Sequence, residues 1–169
     1  MKKNFVALLL VITFSVFIFS GCNESGSIWA KYAYESFCAT VRYELCGEIV
    51  CARVSVLRSE QDTVRVEFSS PDALRDATGS FDGEEFRLCC NNINISGEAA
   101  KKLLIIPTLL AARDALSFEK AEDGERRLLV AEIEGGKIFF DSEAEKPIRA
   151  ELYETDCEII TFEWRSEAT

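Results

Sequence analysis

Apolar and polar residues alternate with a period of two along most of this chain. Phe37, Ala39, Val41, Tyr43 and Leu45 interleave with Cys38, Thr40, Arg42, Glu44 and Cys46, the pattern of a strand with one buried face. A second run, Val50, Ala52, Val54 and Val56, follows Gly47-Glu48. Read as a two-residue type II′ turn, which wants glycine first, that dipeptide sets Leu45 against Val50, Tyr43 against Ala52, Val41 against Val54 and Ala39 against Val56. Thr40, Arg42, Glu44, Arg53 and Ser55 are left on the other face. Val64, Val66 and Phe68 supply a third strand. After Ser69-Ser70-Pro71 and a turn at Asp82-Gly83, the alternation resumes at Phe86, Leu88 and Cys90. Asn91-Asn92 suits a type I′ turn and puts Ile93 and Ile95 on the same face as those three.

The period then lengthens. Glu98 to Ile106 and Pro107 to Phe118 are rich in Ala, Leu, Lys and Arg and predict two helices, with Pro107 in the first turn of the second. Strands return over Arg126 to Glu134, Lys137 to Ser142, Ile148 to Tyr153 and Glu158 to Trp164, with a Gly135-Gly136 turn that brings Leu129, Ala131 and Ile133 against Ile138 and Phe140. Trp29, Tyr32, Ala33 and Ser36 hint at a short helix at the start. These elements predict an α+β domain, a curved antiparallel sheet or unclosed β-barrel of about nine strands with a helical insertion covering one face.

A different pattern precedes them. Lys2 and Lys3 lead into an uncharged apolar run that ends at Phe19-Ser20-Gly21-Cys22, the layout of an export signal; it resembles the lipobox of bacterial lipoproteins, in which the cysteine is lipidated and becomes the first residue. That resemblance implies a signal-peptide helix over 1–21, a lipid on Cys22, and a membrane anchor on the extracytoplasmic side. Two or three acyl chains, at about 0.8 kcal/mol per buried methylene, hold such an anchor firmly. Asn23 to Ser27 read as the linker of a 22–27 segment, and 28–169 as a single mostly β domain. The competing reading of the leader is an uncleaved span, since Asn4 to Gly21 carries no charge.

Composition narrows the partners. Of 169 residues, 19 are basic and 29 acidic, for a formal charge of −10; loss of the two leader lysines makes it −12. This excludes nucleic acid as the expected partner and any electrostatic grip on anionic lipid heads. No histidine is present, which removes Ser-His, Cys-His and His-metal chemistry together. The carboxylate pairs Glu132-Glu134 and Glu143-Glu145 fall on an outer strand face or in a turn. Neither a cofactor nor a metal is expected, and no catalytic residue is assigned. Beyond Cys22 there are six cysteines, Cys38, Cys46, Cys51, Cys89, Cys90 and Cys157; Cys46 and Cys51 lie diagonally across the first hairpin and are the candidate disulfide, free thiols being the alternative.

The element order carries a further resemblance. A lipobox, an amphipathic strand pair, a third strand ending near Pro71 and Leu74, the turn Phe81-Asp82-Gly83-Glu84 before a short hairpin, one helical segment and a closing meander resemble the outer-membrane lipoprotein carrier superfamily and its Gram-positive lipoprotein relatives. The resemblance implies an unclosed barrel whose concave apolar face, lidded by helices, takes lipid or lipoprotein acyl chains. Trp29, Phe86, Leu88, Leu104, Leu110 and Phe140 are the candidate lining. Two readings stay open: a membrane-tethered, non-catalytic binding module for lipid, acyl chain or apolar peptide, and a structural or protein-interaction lipoprotein of the envelope or spore, whose core its own side chains fill.

Overall fold

The computed structural model describes residues 23–165; the leader, and Cys22 with its expected lipid, lie outside the described residues. The sheet has eleven strands where nine were expected. These are β1 (Phe37–Leu45), β2 (Glu48–Leu57), β3 (Thr63–Ser70), β4 (Thr78–Phe81), β5 (Phe86–Cys90), β6 (Ile93–Ser96), β7 (Ser117–Asp123), β8 (Arg126–Ile133), β9 (Gly136–Asp141), β10 (Lys146–Leu152) and β11 (Thr155–Trp164). Helix α1 covers Asn23–Tyr34 and α2 covers Glu98–Leu109. The spatial order is β6-β5-β4-β3-β2-β1-β11-β10-β9-β8-β7. The chain thus winds outward from the centre, passes through α2 to the opposite edge, and winds back until β11 lies antiparallel beside β1. Strands β6 and β7 are the two edges, so the sheet is unclosed.

Period-two patterning yields one apolar face. Ala39, Val41, Tyr43, Val50, Ala52, Val54, Val64, Val66, Leu129, Ala131, Ile138 and Phe140 are all buried in a single cluster, and both helices add to it, α1 through Ile28, Trp29, Tyr32 and Ala33 and α2 through Ala100, Leu104 and Ile106. The outer face carries Arg42, Arg53, Arg65 and Glu67, all exposed. A small second cluster, Leu128, Val130 and Phe139, sits on that outer side, with the Arg149 guanidinium 4.2 Å from the Phe139 ring.

Several local expectations shift. The first hairpin turns at Cys46-Gly47, both at positive φ (54° and 83°), rather than at Gly47-Glu48. The register becomes Tyr43 against Val50, Val41 against Ala52 and Ala39 against Val54. Every side chain keeps its face, because moving a two-residue turn by one position changes the partner sum by two. The later turn is Glu134-Gly135, with Gly136 already paired to Ile133. Asn91-Asn92 turns as expected, at φ 49° and 66°, with Cys90 opposite Ile93.

The helices change more. Residues 23–27, read as a linker, form the start of α1. The two helices expected over 98–118 are one, ending at Leu109, with Pro107 in its last turn. Proline cannot donate to the carbonyl four residues back; that carbonyl, on Leu103, accepts instead from the Tyr43 hydroxyl at 3.4 Å. Of the rest of the expected second helix, residues 110–116 form an irregular connection and Ser117 and Phe118 open β7. Strand β4 escaped notice because Thr78-Gly79-Ser80-Phe81 is short and lacks alternation. Its glycine has a packing reason: a Cβ on Gly79 would overlap Leu104 Cδ2, so α2 seats on the sheet only where that strand has no side chain.

Candidate binding site beneath two helices

An apolar face on an unclosed sheet needs a cover, and how the cover is fastened decides what the face can do. Helix α2 lies against β3 to β6 through Leu104, Ala100 and Ile106. Helix α1 is held mainly by rings. Tyr32 stacks on Phe37 at 4.9 Å and meets Phe140 edge-on at 5.1 Å, Trp29 meets Phe140 at 6.0 Å and Phe118 at 5.8 Å, and the array runs on through Phe162 to Trp164.

The polar fastening converges on one arginine. The backbone N–H of Arg58, where β2 ends, donates to Ser36 Oγ at 3.0 Å. Its side chain is 3% exposed. Nη1 donates to Asp62 Oδ2 at 2.6 Å and to the Ala111 carbonyl at 2.7 Å, while Nη2 donates to the Tyr32 carbonyl at 3.0 Å. One guanidinium therefore ties the C-terminal turn of α1 to the segment just after α2. Asp62 is shared: Arg113 Nε donates to its Oδ2 at 2.6 Å, and Arg113 Nη2 reaches both Oδ1 and the Ser59 carbonyl. Trp29 Nε1 donates to the Arg113 carbonyl at 3.0 Å, and the Tyr32 hydroxyl donates to the Leu110 carbonyl. The fork geometry of guanidinium suits such multipoint holding. Arg58 Nε is buried without a partner.

Electrostatics separate clamp from face. Burial pushes the Asp62 carboxyl up, but the hydrogen bonds from Arg113 and Arg58 outweigh it and hold it below the ordinary carboxylate range. On the apolar face, burial raises the Tyr32 and Tyr43 hydroxyls well above their usual value and pushes the Cys157 thiol up to about 12, with Glu158 adding to the effect. These three groups stay neutral at physiological pH, so the face is apolar in charge as well as in composition.

Of the six residues expected to line a ligand site, Trp29, Leu88, Leu104, Leu110 and Phe140 come together in the one buried cluster. Phe86 is half-buried at its margin, stacked on Phe81 at 4.4 Å. In this arrangement they fill the space beneath the helices. A cavity of about 520 Å³ lies elsewhere, at the N-terminal end of α1, where Ile28 faces Lys120, Ala121, Arg127, Leu128 and Leu129. Cys46 is exposed in the first turn and Cys51 sits in β2 opposite Arg42; both are free thiols, as are Cys38, Cys89, Cys90 and Cys157. Arg58, Asp62 and Arg113 were not singled out from the sequence, where an Arg-to-Asp spacing of four is the sole trace of the clamp.

No protein-family model and no curated protein matches the chain. Solved structures do. An uncharacterized conserved protein of Thermus thermophilus superposes with a TM-score of 0.55 at 16% identity, over 86% of this chain and 88% of that one. MucB superposes at 0.51 and 10% identity over 89% of this chain, which spans 61% of MucB. A LolA superfamily protein from Nitrosomonas europaea aligns at a TM-score of 0.45 and 11% identity, over 84% of this chain and 94% of that one. At these identities the likeness concerns fold, and the unclosed sheet with helices on one face is the fold that the element order implied.

Proposed function

We propose that this protein is an exported lipoprotein, anchored through Cys22 on the extracytoplasmic side of a membrane, and a non-catalytic binding module for one apolar ligand: a lipid, an acyl chain or an apolar peptide. The observation that carries the reading is the Arg58 clamp. A continuous apolar face lies under two helices whose polar fastening centres on the Arg58 guanidinium, with the Tyr32–Leu110 and Trp29–Arg113 hydrogen bonds beside it, so release of that group loosens the cover without unmaking the sheet. Trp29, Leu88, Leu104, Leu110 and Phe140, with Phe86 at the margin, would then exchange contacts with each other for contacts with the ligand. Burial of apolar area at about 25 cal/mol per Å² gives a chain-like ligand enough to compete with that self-packing.

A second reading, a structural or interaction protein of the envelope or spore, is favoured by one specific observation: those side chains are already packed together. Native mass spectrometry of the full chain, taken from its own membranes in detergent, separates the two. The binding reading expects an added mass that is lost on denaturation, beside the covalent mass of the lipid on Cys22. A folded protein bearing the anchor alone, even after incubation with phospholipid or fatty acid, would leave the second reading standing.

A further inference from the structure

The two edges of the sheet are built differently. Strand β7 carries Glu119, Lys120, Glu122 and Asp123, charges of the kind that keep an edge from pairing. Strand β6 carries none, and no charged residue occurs from Leu88 to Gly97. All four residues of β6 are exposed, Ile93 by 64% and Ile95 by 36%.

The hairpin fixes which backbone groups are unpaired. Cys90 and Ile93 flank the two-residue turn and so form its hydrogen-bonded closing pair; by alternation Ile93 and Ile95 direct their backbone groups to β5, while Asn94 and Ser96 direct theirs outward. Ile93 and Ile95 share the apolar face with Cys90 and Leu88, and Asn94 shares the outer face with Cys89.

We infer that β6 is a homotypic docking edge, whose occupant is the β6 strand of a second copy of this chain. The edge is its own complement. In an antiparallel pair about a two-fold axis at Asn94, that residue meets Asn94 of the second copy, each donating its outward N–H to the other's carbonyl. Ile93 then meets Ile95 of the second copy on the apolar face, and the reverse pair follows by symmetry. Two chains that each carry a formal charge of −10 repel over most of their surfaces, and this uncharged stretch is where they meet without that cost. A four-residue strand buries less than a standard interface, so the contact is weak in dilute solution and is favoured where the protein is concentrated. It is independent of whether the apolar face takes a ligand.

The test uses the full chain in its own membranes, with Cys46, Cys51, Cys89 and Cys90 replaced by Ser and Asn94→Cys introduced. Oxidation should yield a species of doubled mass on a non-reducing gel, at least tenfold more than from Glu119→Cys at the opposite edge. Adding Ile93→Lys and Ile95→Lys should cut the yield at least tenfold; both side chains are exposed, so the fold is retained, as a thermal melt checks. No doubled species, equal yields from the two edges, or a yield indifferent to the lysines overturns the inference. Sedimentation of the unmodified chain in detergent gives an independent reading: a mass rising with concentration supports it, and a constant monomer mass up to the highest concentration counts against it.

Discussion

Replacing Arg58 with alanine removes the side chain that bonds at once to α1 and to the segment after α2, leaving the Tyr32–Leu110 and Trp29–Arg113 hydrogen bonds in place. The Tyr32 and Ala111 carbonyls lose their donor, at about 1–3 kcal/mol for each buried acceptor left unpaired. Asp62 keeps Arg113 but loses one of its two cations. Breaking a buried ion pair by deleting one partner costs about 3–5 kcal/mol; because Asp62 remains paired and water can reach the opened edge, we expect about 3 kcal/mol. For a domain of this size that is a fall in Tm of roughly 6–12 °C, read by near-UV circular dichroism and checked by urea denaturation. The loss should be local in origin. Amide exchange should accelerate first in α1 and in residues 98–113, while β1, β2 and β11 keep their protection relative to global unfolding. Arg58→Lys restores the charge beside Asp62 without the fork, and should recover part of the loss. A Tm within about 2 °C of the parent, or a loss with no change in α1 exchange, would refute the view that this guanidinium fastens the cover.

Three further outcomes follow from the same structure. The folded Asp62 carboxyl is held below its unfolded value, so its contribution is fully present above the ordinary carboxylate range and is lost as pH falls through the lowered one; Asp62→Asn should flatten that part of an acid unfolding curve, and a curve of unchanged shape would contradict the assignment. Gly79→Val puts a side chain where Leu104 sits; it should cost about 1–3 kcal/mol and loosen α2, whereas paired Gly79→Val and Leu104→Ala changes should cost less than their sum. In the native protein Cys46 should react readily with iodoacetamide at pH 8, while Cys157, buried with its thiol pushed up to about 12, should react at least about a thousandfold more slowly; comparable labelling of the two by mass spectrometry would show that the core opens faster than the burial implies.

Strand patterning made most of the fold legible. In β1, β2 and β3 one face is apolar and the other polar, β8 to β11 keep the apolar inner face although Leu128, Val130 and Phe139 add a small apolar cluster outside, and the period of two survives any small error in turn placement, which is why a misplaced first turn left every buried residue buried. Strand β4 was hidden because the helix above it requires glycine in place of an apolar marker. Strand β7 was hidden because Ser117 to Asp123 has only Phe118 and Ala121 to alternate, and the Leu-rich run before it reads as helix. Composition favouring helix likewise concealed that Pro107 lies in the last turn of α2, a position made tolerable by the Tyr43 hydroxyl from a distant strand. The clamp was the least legible part. Arg58 looks like any charged residue after a strand; its burial arises only when Tyr32, Asp62 and Ala111 converge from three parts of the chain, and no local pattern encodes that meeting.

The claim that the apolar face takes a ligand is tested most directly by placing a quencher in the ligand. The chain has two tryptophans, Trp29 in α1 within the buried aromatic array and Trp164 at its end; Trp164→Phe leaves Trp29 as the sole reporter. With dibrominated stearate or a brominated phosphatidylcholine as probe, the account predicts saturable quenching of Trp29 that iodide in the solvent does not reproduce, with faster onset in Arg58→Ala. Trp29 emission that stays constant at every probe concentration, in the parent and in Arg58→Ala alike, would contradict it and identify the space beneath the helices as a filled core.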